Sequence, residues 1–133
     1  MVIVDTTVWV DYLNGMTTPQ TDWLDQELDR QRLGLTDLIL SEVLQGVRDE
    51  REAAETRREL LKFEVFTTGG VELAVTAAQN YRALRAKGCT IRPLRAIDCW
   101  IATFCLLNDH TLLHNDSDFD PFEAFLNLRV IHP

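Results

Sequence analysis

Four carboxylates, Asp5, Glu42, Asp98 and Asp116, stand where a purely structural role explains them poorly. Asp5 follows Val2-Ile3-Val4, a β-branched run that reads as a strand buried on both faces. It therefore sits at the carboxyl end of a first strand, the edge beyond which open α/β sheets bind ligands. Asp116 follows a later strand, and Glu42 and Asp98 fall in early turns of helices that begin near the same edge. Taken singly, each has a plain explanation. Asp5 would cap the following helix, Glu42 would be a solvated edge residue, and Asp116, Asp118 and Asp120 would form a polar turn. Asp98 is the hardest to explain so, because its helix has no polar face. Burying an unpaired carboxylate costs several kcal/mol on the order-of-magnitude scale for buried ions. The helix dipole returns only about 0.3–1 kcal/mol. Carboxylates gathered at one edge repel one another and need a cation. Ligation by oxygen alone selects a hard ion, Mg²⁺ with Mn²⁺ able to substitute. One such ion, or a pair about 4 Å apart, activates water for in-line attack on a phosphodiester.

The elements that must hold these acids follow from hydrophobic period and turn chemistry. After the strand at 2–4, residues 8–13 turn helical and close at Asn14-Gly15. Thr18-Pro19 starts a second helix whose stripe of Trp23, Leu24 and Leu28 ends near Arg32. Residues 33–36 read as a second strand. Asp37 is placed as the N-cap of a helix over 37–47. There Ile39, Leu40, Val43, Leu44 and Val47 share one face at about 100° per residue, with Glu42 at its border. A charged amphipathic helix over 52–62 and a third strand over 63–67 follow. Gly69-Gly70 breaks the chain before a helix over 71–87, which Gly88 ends. A loop over 89–94, punctuated by Pro93, leads to the apolar Asp98 helix over 95–107. A fourth strand at 111–114, a short helix at 121–126 and a last strand at 128–131 complete the order. Strands alternating with helices predict the α/β class. The expectation is a three-layer α/β/α sandwich with a mainly parallel sheet of about five strands, in one domain over 1–133.

Composition narrows the setting. Apolar content of 46% and charged content of 26% suit a globular protein. No apolar run approaches the roughly 18 residues of a membrane span. Only Met1 precedes the first strand, so no signal peptide is expected. Cys89, Cys99 and Cys105 are odd in number and lack C-x-x-C spacing, which predicts a reduced, cytoplasmic protein without disulfide or zinc framework. A net charge of −8 argues at first sight against a nucleic-acid partner. Its distribution reverses that. Residues 73–97 carry no acid, yet hold Arg82, Arg85, Lys87, Arg92 and Arg95, whereas residues 109–123 carry only acidic charge. A basic strip beside an acidic cluster suits a polyanion held against a metal site, with Arg82, Arg85, Arg92 and Arg95 as candidate phosphate contacts of salt-sensitive affinity. Trp9, Tyr12, Trp23 and Trp100 are better read as core or dimer packing than as base-stacking residues.

Along nearly its whole length the chain resembles the PIN-domain ribonucleases, and among them the VapC-type toxins of bacterial toxin–antitoxin pairs. The residues that carry the resemblance are Val2-Ile3-Val4-Asp5-Thr6, Ser41-Glu42-Val43, Asp98-Cys99-Trp100-Ile101-Ala102 and Asn115-Asp116-Ser117-Asp118-Phe119. Each motif is weak alone; their order and spacing together are specific. The resemblance implies a catalytic site of Asp5, Glu42, Asp98 and Asp116, with Asp5 and Asp98 the foremost Mg²⁺ ligands. Asp118 would be an auxiliary acid, and the Thr6 hydroxyl would orient Asp5 or a metal-bound water. It also implies endoribonuclease activity on structured RNA such as tRNA or rRNA, homodimers, and inhibition by a VapB-type antitoxin in heterotetramers or larger assemblies. Water attacking in line would leave 5′-phosphate and 3′-hydroxyl ends. Two other readings compete. A haloacid-dehalogenase-like phosphatase also opens with a strand and Asp, but wants a second Asp where Thr7 stands. An inactive PIN-like module that only binds RNA or protein is disfavoured by the intact acid set.

Overall fold

The computed structural model describes residues 1–89 and 95–133. Its centre is a wholly parallel sheet of four strands in the order β3-β2-β1-β4. These are β1 (Val2–Val4), β2 (Leu33–Thr36), β3 (Glu64–Phe66) and β4 (Thr111–Leu113). Among the described residues, seven helices connect and cover them: α1 (Thr6–Leu13), α2 (Pro19–Glu27), α3 (Asp37–Gln45), α4 (Glu50–Leu60), α5 (Val71–Ala86), α6 (Ala96–Leu107) and α7 (Asp120–Leu126). A 3₁₀ turn, Ser117–Phe119, precedes the last.

The steps from β1 to β2 and from β2 to β3 move one way across the sheet, and the step from β3 to β4 moves back past β1. Right-handed crossovers therefore place α1–α4 on one face and α5 and α6 on the other. The helix contacts agree: α1 packs on α2 and α3, α3 on α4, and α5 on α6 and α7. Three layers result, as expected. The central strand β1 is buried throughout, and Ile3, Val4, Leu35, Leu112 and Leu113 are wholly inaccessible. At Gly34 the strands approach closely. A Cβ there would lie 2.9 Å from the Glu64 carbonyl oxygen and 3.1 Å from the Phe66 ring, so no larger residue fits without a shift.

Several boundaries differ from the sequence-based expectation. The fifth strand is reduced to a single parallel bridge, Leu112 to Val130, closed by Leu112 N–H to Arg129 O and Ile131 N–H to Leu112 O. α1 starts directly after Asp5, because that side chain caps it. α2 ends at Glu27 and not near Arg32. Thr36, not Asp37, caps α3: its hydroxyl accepts from Ile39 N–H at 3.2 Å. Asp37 is drawn instead toward Thr68, accepting from that residue's N–H and hydroxyl. α6 buries Asp98, Cys99 and Ile101 through Cys105. The lack of a polar face predicts a helix enclosed nearly all round, but Ile97 and Leu107, 38% and 51% exposed, and the half-buried Trp100 leave it partly open. All three cysteines are free thiols. No described helix is long and apolar enough to cross a membrane.

Candidate active site

Asp5 leaves β1 with its N–H donating to Leu113 O at 2.9 Å, so the β1 and β4 exits lie side by side. Its carboxylate is 3% exposed and accepts from the Thr7 N–H at 3.2 Å and the Thr7 hydroxyl at 2.8 Å. The same Thr7 oxygen accepts from Asn115 N–H at 3.1 Å. One hydroxyl thus ties Asp5 to the loop that carries Asp116. Sequence reading missed this role; the signal was a hydroxyl two residues after a capping acid, a common local motif. Thr6, expected to serve Asp5 or a water, donates its hydroxyl proton to Glu42 Oε1 at 2.8 Å. That bond joins the first turn of α1 to α3.

Asp98, in the first turn of α6, is 5% exposed, and its buried Oδ2 has no hydrogen-bond partner among the described residues. Asp116 caps the 3₁₀ turn through Asp118 N–H at 2.9 Å, and its own N–H donates to His114 Nδ1 at 3.1 Å. His114, to which the sequence assigns nothing, is buried, and burial lowers its pKa. With Nδ1 accepting, its neutral ring carries the proton on Nε2. Asp98, Asp116 and Asp118 each bring one carboxylate oxygen within 4.8 Å of the others. Metal–oxygen bonds of about 2.0–2.6 Å set opposed ligands about 4–5 Å apart, so the trio matches the span of one hard cation. Asp118, expected as auxiliary, stands inside this trio, and Asp5 and Glu42 stand outside it.

Asp5 and Glu42 reach the trio by charge. The Asp98 carboxyl is pushed up to about 7, first by burial and then by the negative charge of Asp5; Arg95 opposes this, and Asp116 and Glu42 add to it. Asp5 is pushed up to about 6 by burial, which outweighs the two Thr7 hydrogen bonds, with Glu42 adding to the rise. Burial and mutual repulsion thus make the ionised forms of Asp98 and Asp5 costly without a cation. The orphaned Asp98 oxygen and the all-oxygen donor set both fit a bound hard ion.

Of the candidate phosphate contacts, Arg95 comes nearest the acids. Its Nη2 lies 3.9 Å from Glu42 Oε2 and its Nε 4.0 Å from Asp98 Oδ2, while the side chain stays 59% exposed. Arg82 and Arg85 are exposed on α5, and Arg92 lies outside the described residues. Trp9 is core, packed on Phe63 at 4.9 Å between ring centres, and the Tyr12 hydroxyl donates to Asp25 at 3.3 Å.

This arrangement has relatives. VapC ribonuclease Mb1587 of Mycobacterium bovis is 26% identical over 132 residues, covering 98% of this chain and 97% of that protein. Ribonuclease VapC11 of Mycobacterium tuberculosis matches with the same figures. Among solved structures, VapBC-1 from nontypeable Haemophilus influenzae superposes with a TM-score of 0.74 at 17% identity, covering 98% of this chain and 97% of that one. VapBC2 from Rickettsia felis, bound to a DNA fragment from its promoter, gives 0.72 at 16% identity and 98% of both chains. At such identities the structures speak for the fold alone. The PIN domain family profile matches residues 2–123, nearly the whole sheet and every acid discussed above, and the chain belongs to that family.

Proposed function

We propose that this protein is a metal-dependent endoribonuclease of the VapC type, the toxin of a toxin–antitoxin pair, cutting structured RNA such as tRNA or rRNA. The observation that carries the reading is the buried Asp98 carboxylate, which has one unpartnered oxygen and forms a trio with Asp116 and Asp118. Asp98, Asp116 and Asp118 would hold the ion, with Asp5 and Glu42 completing the acidic site. Mg²⁺, or Mn²⁺ in its place, supplies Lewis acidity toward a phosphodiester and lowers the pKa of water. The chain's own groups do the rest. Thr7 fixes the Asp5 carboxylate, Thr6 fixes Glu42, and His114 fixes the Asp116 backbone. Asp5, raised to about 6 and sunk at the sheet edge, is suited to take the proton of an attacking water. Arg95 supplies positive charge at the rim, where an RNA phosphate would approach. A VapB-type antitoxin in a cytoplasmic complex, on homodimers of this chain, is the partner the family resemblance supports.

The test is to sequence the RNA ends that arise on brief induced expression and to repeat the cleavage with purified protein. The expected products carry 5′-phosphate and 3′-hydroxyl termini, require Mg²⁺ or Mn²⁺, and vanish in Asp98→Asn. Ends bearing a 2′,3′-cyclic phosphate, or equal cutting by the variant, refute the proposal.

A further inference from the structure

Between α5 and α6 lies a groove of about 330 Å³ that the reaction above does not use. Its floor includes the buried Ala77 and Cys99; Ala96, Tyr81, Trp100, Arg82 and Arg85 line the rest. The floor is fixed by contacts between the two helices, Cys99 Sγ to Ala77 O at 3.2 Å and Asn80 to Thr103 at 3.0 Å. Arg82 and Arg85 are exposed and make no ion pair among the described residues, and the Arg85 guanidinium lies 5.9 Å from the centre of the Tyr81 ring. At about 100° per residue, Ala96, Cys99 and Trp100 occupy one flank of α6 and Asp98 the opposite one. The groove is therefore about one helix width, roughly 10 Å, from the acidic site. Arg95, which begins α6, reaches the acids from this same end.

We propose that this groove is a base-stacking subsite for the RNA strand, holding one nucleotide a short way from the cut. The inference rests on the ribonuclease reading. Charge selects the occupant, because residues 73–97 carry no acid to repel a phosphate. Size agrees. The volume is at the small end of the roughly 300–1,000 Å³ of ligand sites, on the scale of one nucleotide. Aromatic faces with arginines beside them are the usual means of holding single-stranded bases without reading their edges. Trp100, half-buried and so not given over wholly to the packing expected of it, supplies one face and Tyr81 another, with Arg82 and Arg85 the phosphate contacts.

The experiment measures anisotropy of a fluorescein-labelled, single-stranded oligo-A or oligo-U RNA of roughly ten nucleotides, in EDTA so that cleavage is not required. Trp100→Leu should weaken binding at least about fivefold, the lower end for one stacked base, and Trp100→Phe should restore most of it. Arg82→Gln/Arg85→Gln, on the exposed face and so harmless to folding, should reduce the log–log salt slope by about 1.4, the value for two single-strand phosphates. In the cleavage assay with Mg²⁺ both changes should raise KM and leave kcat near wild type. If cleavage is metal-dependent but affinity and KM are unchanged in both variants, the subsite is refuted and the nuclease stands. If the wild type cuts nothing yet the variants lose the oligonucleotide, the nuclease reading fails and the subsite stands. Conversion of a wild-type dimer to monomers by the arginine pair, at constant RNA affinity, would assign the groove to a second copy of the chain and overturn the proposal.

Discussion

Replacing Asp98 with Asn should stabilise the metal-free protein while destroying its function. The buried carboxyl titrates near 7 against an ordinary 3.8, and each pKa unit corresponds to 1.36 kcal/mol. A folded pKa above the unfolded one means the native state binds the extra proton. That stability is fully present below pH about 4 and is lost as pH rises through about 7. At pH 8, ionised Asp98 therefore costs the native state about 4 kcal/mol, as an upper figure, because part of the rise comes from its coupled neighbours. Asn keeps the shape without the charge, so a gain of about 2–4 kcal/mol is expected at pH 8 and close to none at pH 4. At about 2–4 °C per kcal/mol for a domain somewhat larger than this one, Tm should rise by roughly 5–15 °C. Scanning calorimetry in EDTA at the two pH values measures this directly. Saturating Mg²⁺ should reverse the order, because a ligand that binds only the native wild type raises its Tm. Equal or lower stability of Asp98→Asn at pH 8 in EDTA would show that Asp98 is not a strained, cation-seeking group.

Three further outcomes follow from the site. Asp118→Asn should weaken Mg²⁺ binding at least tenfold by calorimetry, as loss of one of the clustered carboxylates requires; unchanged affinity would return Asp118 to a purely structural turn. Thr7→Val should cost about 1–3 kcal/mol, since it removes a hydrogen bond to the buried Asp5 carboxylate, and should cut cleavage more than Thr6→Val does, as read by urea melts beside initial rates. Arg95→Ala should tighten Mg²⁺ binding by removing a cation 4.0 Å from Asp98, yet weaken RNA binding; the two titrations should move in opposite directions, and movement together would contradict the placement.

What could be read from the chain depended on how local each feature was. The parallel sheet was legible because Val2-Ile3-Val4 is apolar on both faces, and the Asp98 helix because no polar face interrupts it. The last strand was not, since residues 128–131 look as strand-like as β4 and only tertiary placement limits them to the Val130 bridge. Asp37 was taken for the α3 cap because Thr36 and Asp37 are both good caps. What decided between them was Thr68, 31 residues on, which engages the Asp37 carboxylate. The candidate acids stand out in the sequence by type and position, but the trio of Asp98, Asp116 and Asp118 does not. That Asp118 joins Asp98 and Asp116 depends on the pitch of a 3₁₀ turn, which no periodicity reports. His114 receives no role from the sequence because a lone histidine ending a strand carries no spacing signal.

The Thr7 hydroxyl joins chain segments 108 residues apart, and this bears on when the acids can first act. Until the ribosome has released the stretch through Asp116 and β4 has docked beside β1, Asp5 has neither its far-side support nor its partners. Contacts of such long sequence separation form late. A nascent chain of this protein thus lacks an assembled acidic site for most of its synthesis, and the site is complete only with the closing pairing of the sheet.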